Sequence, residues 1–270
     1  MWIPSFNKRT ISEVIIYLSR RFGVKLVPDA ETRLNRWITQ GADKLLLRDA
    51  ARALKVIVQF EDRRFYLHFG VDLISLLGLL SGRRHRGGAT TIAMQLARQV
   101  IVNPHHGRLG TKLKRKIYEM VMGTYLSVKC GRRAVLSMWL HHIPFGSPRI
   151  IGIITASRCY LNKQIEQLDE LDGLLLVERI SVCTGRYYVR RIERLAAWGI
   201  EHNLIRNKDK DELMQRFYRM VACGPGDVKD DLPNVVHPYR LILRSFVVRC
   251  RTLILFLQKH ALIRPKNITN

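Results

Sequence analysis

The chain has 270 residues, and 46 Lys plus Arg against 22 Asp plus Glu give it a formal charge of +24. A charge of that size calls for a polyanionic partner: nucleic acid, an anionic membrane surface or a phosphate-bearing substrate. A hydrophobic content of 47% excludes disorder as the dominant state, and 18 Gly with 9 Pro exclude collagen-like and low-complexity classes, so a folded domain with a real core is expected.

Thr10 and Glu13 form a Thr-x-x-Glu capping box that opens a helix with Ile11, Val14, Ile15 and Leu18 on one face, stopping at Gly23. Asp29 is the expected cap of a second helix ending at Gly41, and a third is expected over about 43–54. Val56, Val58 and Phe60 alternate over 55–60, which is the one strand-like stretch and too short to separate strand from helix. Further helices are expected near 71–80, 89–102, 111–129, 132–142, 147–160, 169–181, 187–203, 210–222 and 238–262, punctuated by Gly131 and Gly224-Pro225-Gly226. The fold class expected is therefore mainly α.

The five cysteines (Cys130, Cys159, Cys183, Cys223, Cys250) are scattered without a CxxC pair, which argues against a disulfide scaffold or a zinc module. The adjacent pairs His105-His106 and His141-His142 point about 100° apart on a helix and are not expected to share a metal. The longest apolar run, Leu73 to Leu80, falls far short of the roughly 20 residues of a membrane span, and the start of the sequence has no signal-peptide layout. After Pro238 a basic amphipathic stretch carries Leu241, Leu243, Phe246 and Val247 among Arg240, Arg244 and Arg249. It suits either an anionic membrane face or a helix packed on the domain.

Three segments carry possible chemistry. The first is Glu61-Asp62-Arg63-Arg64-Phe65-Tyr66-Leu67-His68-Phe69-Gly70, in which a carboxylate pair stands near a histidine. A lone Glu-Asp pair is usually a solvated helix start. The second, Arg86 to Arg98, places two glycines and two threonines before a helix, where free N–H groups favour an anion. Gln95, Arg98 and Gln99 share a face one turn on, and the spacing is not that of a P-loop. In the third, Arg115, Lys116 and Glu119 project from one helix face, opposite an apolar stripe of Leu113, Ile117, Met120 and Val121 expected to bury the helix.

Together and in this order the segments resemble the motifs of the peptidoglycan glycosyltransferases, glycosyltransferase family 51. Glu61, Asp62, Phe65, His68 and Gly70 match the family's Glu-Asp-x-x-Phe-x-x-His-x-Gly. Gly88 to Leu96 is similar to Gly-Gly/Ala-Ser-Thr-Ile-Thr-Gln-Gln-Leu, and Arg115, Lys116 and Glu119 complete Arg-Lys-x-x-Glu. Val135 to Gly146 resembles Ile-Leu-Glu-x-Tyr-x-Asn-x-x-x-x-Gly, Gly152 to Lys163 is similar to Gly-x-x-x-Ala-x-x-x-Tyr-Phe-x-Lys, and Arg190 with Leu195 resembles a later Arg-x-x-x-x-Leu. The resemblance covers about 55–205.

The resemblance implies a lysozyme-like, mostly helical glycosyltransferase domain, expected over 51–205, with a helical N-terminal extension over 1–50 and a basic helical C-terminal extension over 206–270. It implies polymerisation of lipid II onto a growing glycan strand, with inversion at the anomeric carbon and release of undecaprenyl pyrophosphate. Glu61 would be the general base on the acceptor 4-hydroxyl, oriented by Asp62 and His68. Arg98, Arg115 and Lys116 would meet the pyrophosphate, Thr90, Thr91 and Gln95 would hydrogen-bond phosphate or sugar, and Arg190 would be a further donor contact. Glu119 would organise the cations or hold a divalent ion (Mg or Mn) at the diphosphate. No other cofactor is implied. The partners implied are lipid II, the glycan strand, an anionic membrane surface and other cell-wall synthesis proteins, with no nucleic acid. The expected location is peripheral, on the outer face of the cytoplasmic membrane, although neither anchor nor export signal is visible.

Departures temper this. Ala93 and Met94 stand where the family shows Thr and Gln, Met94 at the expected donor site, and Ser137 and His141 replace Glu and Asn. A weakened relative that binds lipid-linked glycan is therefore the first alternative. A basic nucleic-acid-binding protein is the second, although no zinc-finger spacing or RNP-type motif supports it. Charge layout discriminates: a phosphate substrate wants basic residues converging on Glu61 and Glu119, while a duplex wants a broad stripe away from them. Lys-Thr-Gly is absent, so transpeptidation is not expected.

Overall fold

The computed structural model describes residues 11–80, 90–101, 109–180, 185–223 and 228–229. The chain divides into one unit of residues 1–72 with 90–232 and a second of 73–89 with 233–270. Thr10 of the capping box, the Gly87-Gly88 pair, His105-His106, the Gly224-Pro225-Gly226 turn and the expected helix at 238–262 lie outside the described residues.

The architecture is mainly α, in agreement with the lysozyme-like helical fold that the resemblance implies. In chain order the helices are α1 (Ile11–Phe22), α2 (Ala30–Gln40), α3 (Lys44–Asp49), α4 (Ala51–Glu61), α5 (Leu73–Leu80), α6 (Ile92–Arg98), α7 (Leu109–Cys130), α8 (Arg132–His142), α9 (Ile153–Ala156), α10 (Glu170–Ile180), α11 (Val189–Glu201) and α12 (Asp209–Cys223). Two small two-stranded pairings accompany them: β1 (Pro144–Phe145) with β2 (Ser147–Ile151), antiparallel, and β3 (Tyr187–Tyr188) with β4 (Val228–Lys229), parallel. Helix α5 belongs to the second unit and the other elements to the first.

Helix α10 is the axis of the first unit: every residue from Leu171 to Ile180 is buried, and its most extensive partner is α4. The approach is close enough that a Cβ on Gly173 would lie 2.8 Å from the Ala53 carbonyl oxygen. Around this pair, α11 buries Ile192, Leu195, Ala196 and Gly199, and α12 buries Leu213, Phe217 and Met220. Each set repeats at helical spacing and forms one apolar face.

The structure corrects several expectations. Residues 55–60, where the alternation left strand and helix open, are helical, within α4. Val56, Ile57 and Val58 are all buried together with Ala53 and Leu54, so the face against α10 follows the helical period; a strand would have sent Ile57 to the opposite side. The single helix expected over 147–160 is instead strand β2, the short α9 and one π turn at Ser157–Leu161. Gly146 and Gly152 bracket β2 at φ +65 and +83, where the chain reverses, and Pro148 lies within it. Asp29 precedes α2 without capping it, because its carboxylate accepts from Arg33 Nε at 2.6 Å. Asp43 does cap α3, accepting from the Leu46 N–H at 2.9 Å. Helix α7 turns its Arg115–Glu119 face inward with Tyr118, Met122 and Leu126, whereas Leu113 and Ile117 are 40% and 36% exposed.

Gly173→Ala tests the α4–α10 approach. Forcing a methyl against the Ala53 carbonyl is expected to cost about 1–3 kcal/mol, measured as a fall in urea midpoint. An unchanged midpoint would show that the two helices separate freely.

Candidate active site

Glu61 is the last residue of α4, the helix held rigidly against α10. Its Oε2 accepts from Gln95 Nε2 of α6 at 2.8 Å, and Gln95 Oε1 in turn accepts from Trp139 Nε1 of α8 at 3.2 Å. Gln95 therefore touches the expected base itself. Asp62, 6% exposed, uses both carboxylate oxygens. Oδ1 bonds His68 Nε2 at 2.9 Å, and Oδ2 accepts the Ile92 N–H at 3.1 Å, which ties the first motif to the start of α6.

Thr91 continues that tie. Its hydroxyl donates to the Gly70 carbonyl at 2.5 Å and accepts the Met94 N–H at 3.2 Å, the N-cap of α6. At 2% exposed it is a joint of the scaffold more than a surface for substrate. Gly70, at φ +87, has no room for a side chain, since a Cβ would sit 2.5 Å from the Thr124 backbone. His68 contributes its carbonyl to Arg132 Nε at 3.0 Å, and the Arg132 guanidinium lies 4.1 Å from the Phe69 ring centroid.

The second half of the site surrounds Glu119, which is fully buried. Arg98 of α6 grips it with two hydrogen bonds, Nε to Oε1 at 2.8 Å and Nη2 to Oε2 at 3.0 Å, the strong bidentate geometry. Arg115 Nε and Lys116 Nζ each stand 3.4 Å from a Glu119 oxygen, and Lys116 also donates to Thr90 Oγ1 at 2.7 Å. Burial would raise the Glu119 pKa, but the Arg98 bonds and the charges of Arg98, Lys116 and Arg115 outweigh it and hold the carboxyl below its ordinary value. Burial also lowers Lys116, to about 8. Three cations thus gather on one carboxylate in a partly desolvated place.

That donor set does not fit a metal held at Glu119: a divalent ion there would face three positive side chains at close range. Among the described residues no group of three His, Cys, Asp or Glu side chains could hold a metal ion. His141 instead bonds Asp43 Oδ2 at 3.1 Å, and His142 packs against Trp37, with burial as the main cause lowering its pKa to about 4.

Gln95 and Arg98 stand three residues apart on α6, so one helix face touches Glu61 at one turn and Glu119 at the next. The two halves are thereby spaced by about 5 Å along the axis. Ala93 and Met94 are each 1% exposed, so these departures lie in the interior. Ser137 is also buried, where its hydroxyl accepts the Asp43 N–H at 3.0 Å. Ser137 and His141 thus both serve the Asp43 cap.

Arg190 lies on the exposed side of α11. Its neighbour Arg191 is the one drawn inward: burial lowers its pKa, against the opposing charges of Glu178 and Glu61. Sequence reasoning missed Arg191 because Arg190 and Arg191 are adjacent and the loose Arg-x-x-x-x-Leu pattern fits the first; the apolar face of α11, Ile192, Leu195 and Ala196, was the signal available.

A family model described as transglycosylase matches residues 42–215, more than half of the chain. Among curated relatives, a penicillin-binding protein 1A of Clostridium novyi is 32% identical over 124 residues, which is 43% of this chain and 14% of that protein. A penicillin-binding protein 1A of Clostridium tetani is 26% identical over 176 residues, 58% of this chain and 22% of the relative. A biosynthetic peptidoglycan transglycosylase of Vibrio parahaemolyticus is 30% identical over 117 residues, 42% of this chain and 49% of the relative. The chain therefore spans half or less of the length of each.

Glu119→Gln tests the cation cluster. Removing the one carboxylate leaves buried positive charge uncompensated and is expected to cost about 3 kcal/mol or more. Equilibrium denaturation reads the change, and an unaltered stability would mean that solvent already neutralises the cluster.

Proposed function

The chain belongs to the transglycosylase family and carries a peptidoglycan glycosyltransferase domain, and from that premise we propose that it polymerises lipid II with Glu61 as general base. The Glu61 carboxylate takes the proton from the acceptor sugar's 4-hydroxyl as that oxygen attacks the anomeric carbon of the growing chain. The bond to pyrophosphate breaks on the opposite face, inverting the centre, and the lipid diphosphate leaves. A positioned base contributes about 10²–10⁴-fold to such a step.

The observation that carries this reading is the pair of contacts along α6: Gln95 on Glu61 and, one turn away, Arg98 on Glu119. A base and a cluster of cations at that spacing suit a reaction that removes a proton at one point and develops diphosphate charge at the next. In this reading Arg115 and Lys116 meet the diphosphate, Arg98 holds Glu119 so that the cluster keeps its shape, and Thr90 and Lys116 orient one another. Asp62, His68 and Thr91 act by fixing the first motif and α6 together. Basic groups gathered at Glu119, with Arg191 acting on Glu61, favour a phosphate-bearing substrate over a nucleic-acid duplex. A diphosphate would meet those cations directly, without an ion held by the protein.

Lipid-linked substrates are met at a membrane surface, and we place the working position of the chain there. Tyr66, Leu67 and Phe69 are exposed beside the site, and in the second unit Leu73, Ile74 and Leu77 of α5 are exposed. Contact through such side chains is the route proposed; among the described residues no helix is long and apolar enough to cross a membrane.

Two measurements follow. Labelled lipid II in detergent is expected to give polymer with the wild-type chain, and Glu61→Gln to lower the rate at least about 10²-fold while lipid II is still bound; near-wild-type polymerisation by the variant contradicts the assignment. Lys116 with its pKa near 8 is charged below that pH and neutral above it. Affinity for a prenyl diphosphate should accordingly weaken as pH rises through about 8, and Lys116→Arg should remove that decline. An equal decline in the variant would assign the titration to another group.

A further inference from the structure

Helix α8 reaches Glu61 through one intermediary. Trp139 is fully buried, and its indole carries a single polar group, an N–H that donates and cannot accept. A buried indole N–H finds a partner, and here it is Gln95 Oε1 at 3.2 Å. A primary amide has an acceptor at one end and donors at the other, and a half-turn of its last bond exchanges them. Only one of the two orientations satisfies a donor-only indole. That same orientation places Gln95 Nε2 on Glu61 Oε2 at 2.8 Å.

Resting on the reading of Glu61 as general base, we propose that Trp139 is a positioning residue of this site, locking the Gln95 amide in the orientation that gives Glu61 a hydrogen-bond donor. The consequence is directional. A donor on a carboxylate favours its charged form, the form that removes a proton, whereas a reversed amide would present a carbonyl oxygen, an acceptor to which only a protonated carboxyl can donate. Tyrosine, which the resembling motif has at this position, carries a hydroxyl able to donate or accept and so compels neither orientation. The charge of Arg191 on α11 also acts on Glu61, and that of Glu178 on α10 acts on Arg191; both stay in place in the variants below.

The test is the titration of Glu61 in the full chain, followed by NMR of glutamate labelled at Cδ, with Glu61→Gln supplying the assignment. Trp139→Phe keeps the ring and removes the N–H. It should raise the Glu61 midpoint by about half a unit to one unit and move the acid limb of kcat for lipid II polymerisation by the same amount, with KM little changed. In a Gln95→Leu background the same substitution should add no further shift. An unchanged Glu61 midpoint in folded Trp139→Phe, or an equal shift with and without Gln95, overturns the proposal. Should Trp139→Phe fail to fold, Gln95→Leu alone must raise the midpoint, and its failure to do so is equally decisive. Polymerisation that survives Glu61→Gln would remove the base reading, while the NMR titration would still report whether Trp139 governs the Gln95 amide.

Discussion

The site depends on one turn of helix α6. Gln95 and Arg98 project from the same face of it, and each grips a carboxylate from a different helix, Glu61 at the end of α4 and Glu119 in the middle of α7. A short helix is a poor ruler unless both ends are held. Here the Asp62 carboxylate and the Thr91 hydroxyl secure its start, and the bidentate Arg98–Glu119 pair secures its finish. Sequence-distant groups are thus brought to a fixed spacing by bonds that all pass through seven residues, Ile92–Arg98.

Electrostatics explains why α7 lies as it does. Burying the Glu119 carboxylate alone would be prohibitive, and a single partner would leave it only just compensated. With Arg98, Arg115 and Lys116 around it, the burial becomes tolerable. Helix α7 therefore turns its charged side toward α6 and leaves Leu113 and Ile117 exposed. Gathering cations is a structural consequence of hiding one carboxylate, and it is also what the diphosphate of the proposed reaction would require.

Much of this was legible beforehand. Helix positions followed from apolar spacing, and the three motif segments do meet: Asp62 with Ile92 joins the first to the second, and Arg98 with Glu119 joins the second to the third. What failed has physical reasons. Periodicity alone assigned the apolar stripe of α7 to the interior, because a rule that buries carbon and exposes charge has no way to see a cation arriving from another helix. The alternation at Val56, Val58 and Phe60 left strand and helix open, and Ile57 between them, just as buried, decides for the helix. The hairpin around Ser147–Ile151 was hidden because two glycines in left-handed conformation set it, and their φ angles are not written in an apolar pattern. The contacts of Gln95, Arg191 and Trp139 are made across helices and could not be read from one segment at a time.

In the proposed reaction the base and the diphosphate occupy the two ends of the α6 face. A crystal structure of the full chain soaked with a prenyl diphosphate tests it most directly. The diphosphate is expected within hydrogen-bonding distance of Arg115 and Lys116, beside the Arg98–Glu119 pair, with the Glu61 carboxylate turned toward the space one helical turn away. A diphosphate bound elsewhere at saturating ligand, in contact with neither Arg115 nor Lys116, would overturn that arrangement.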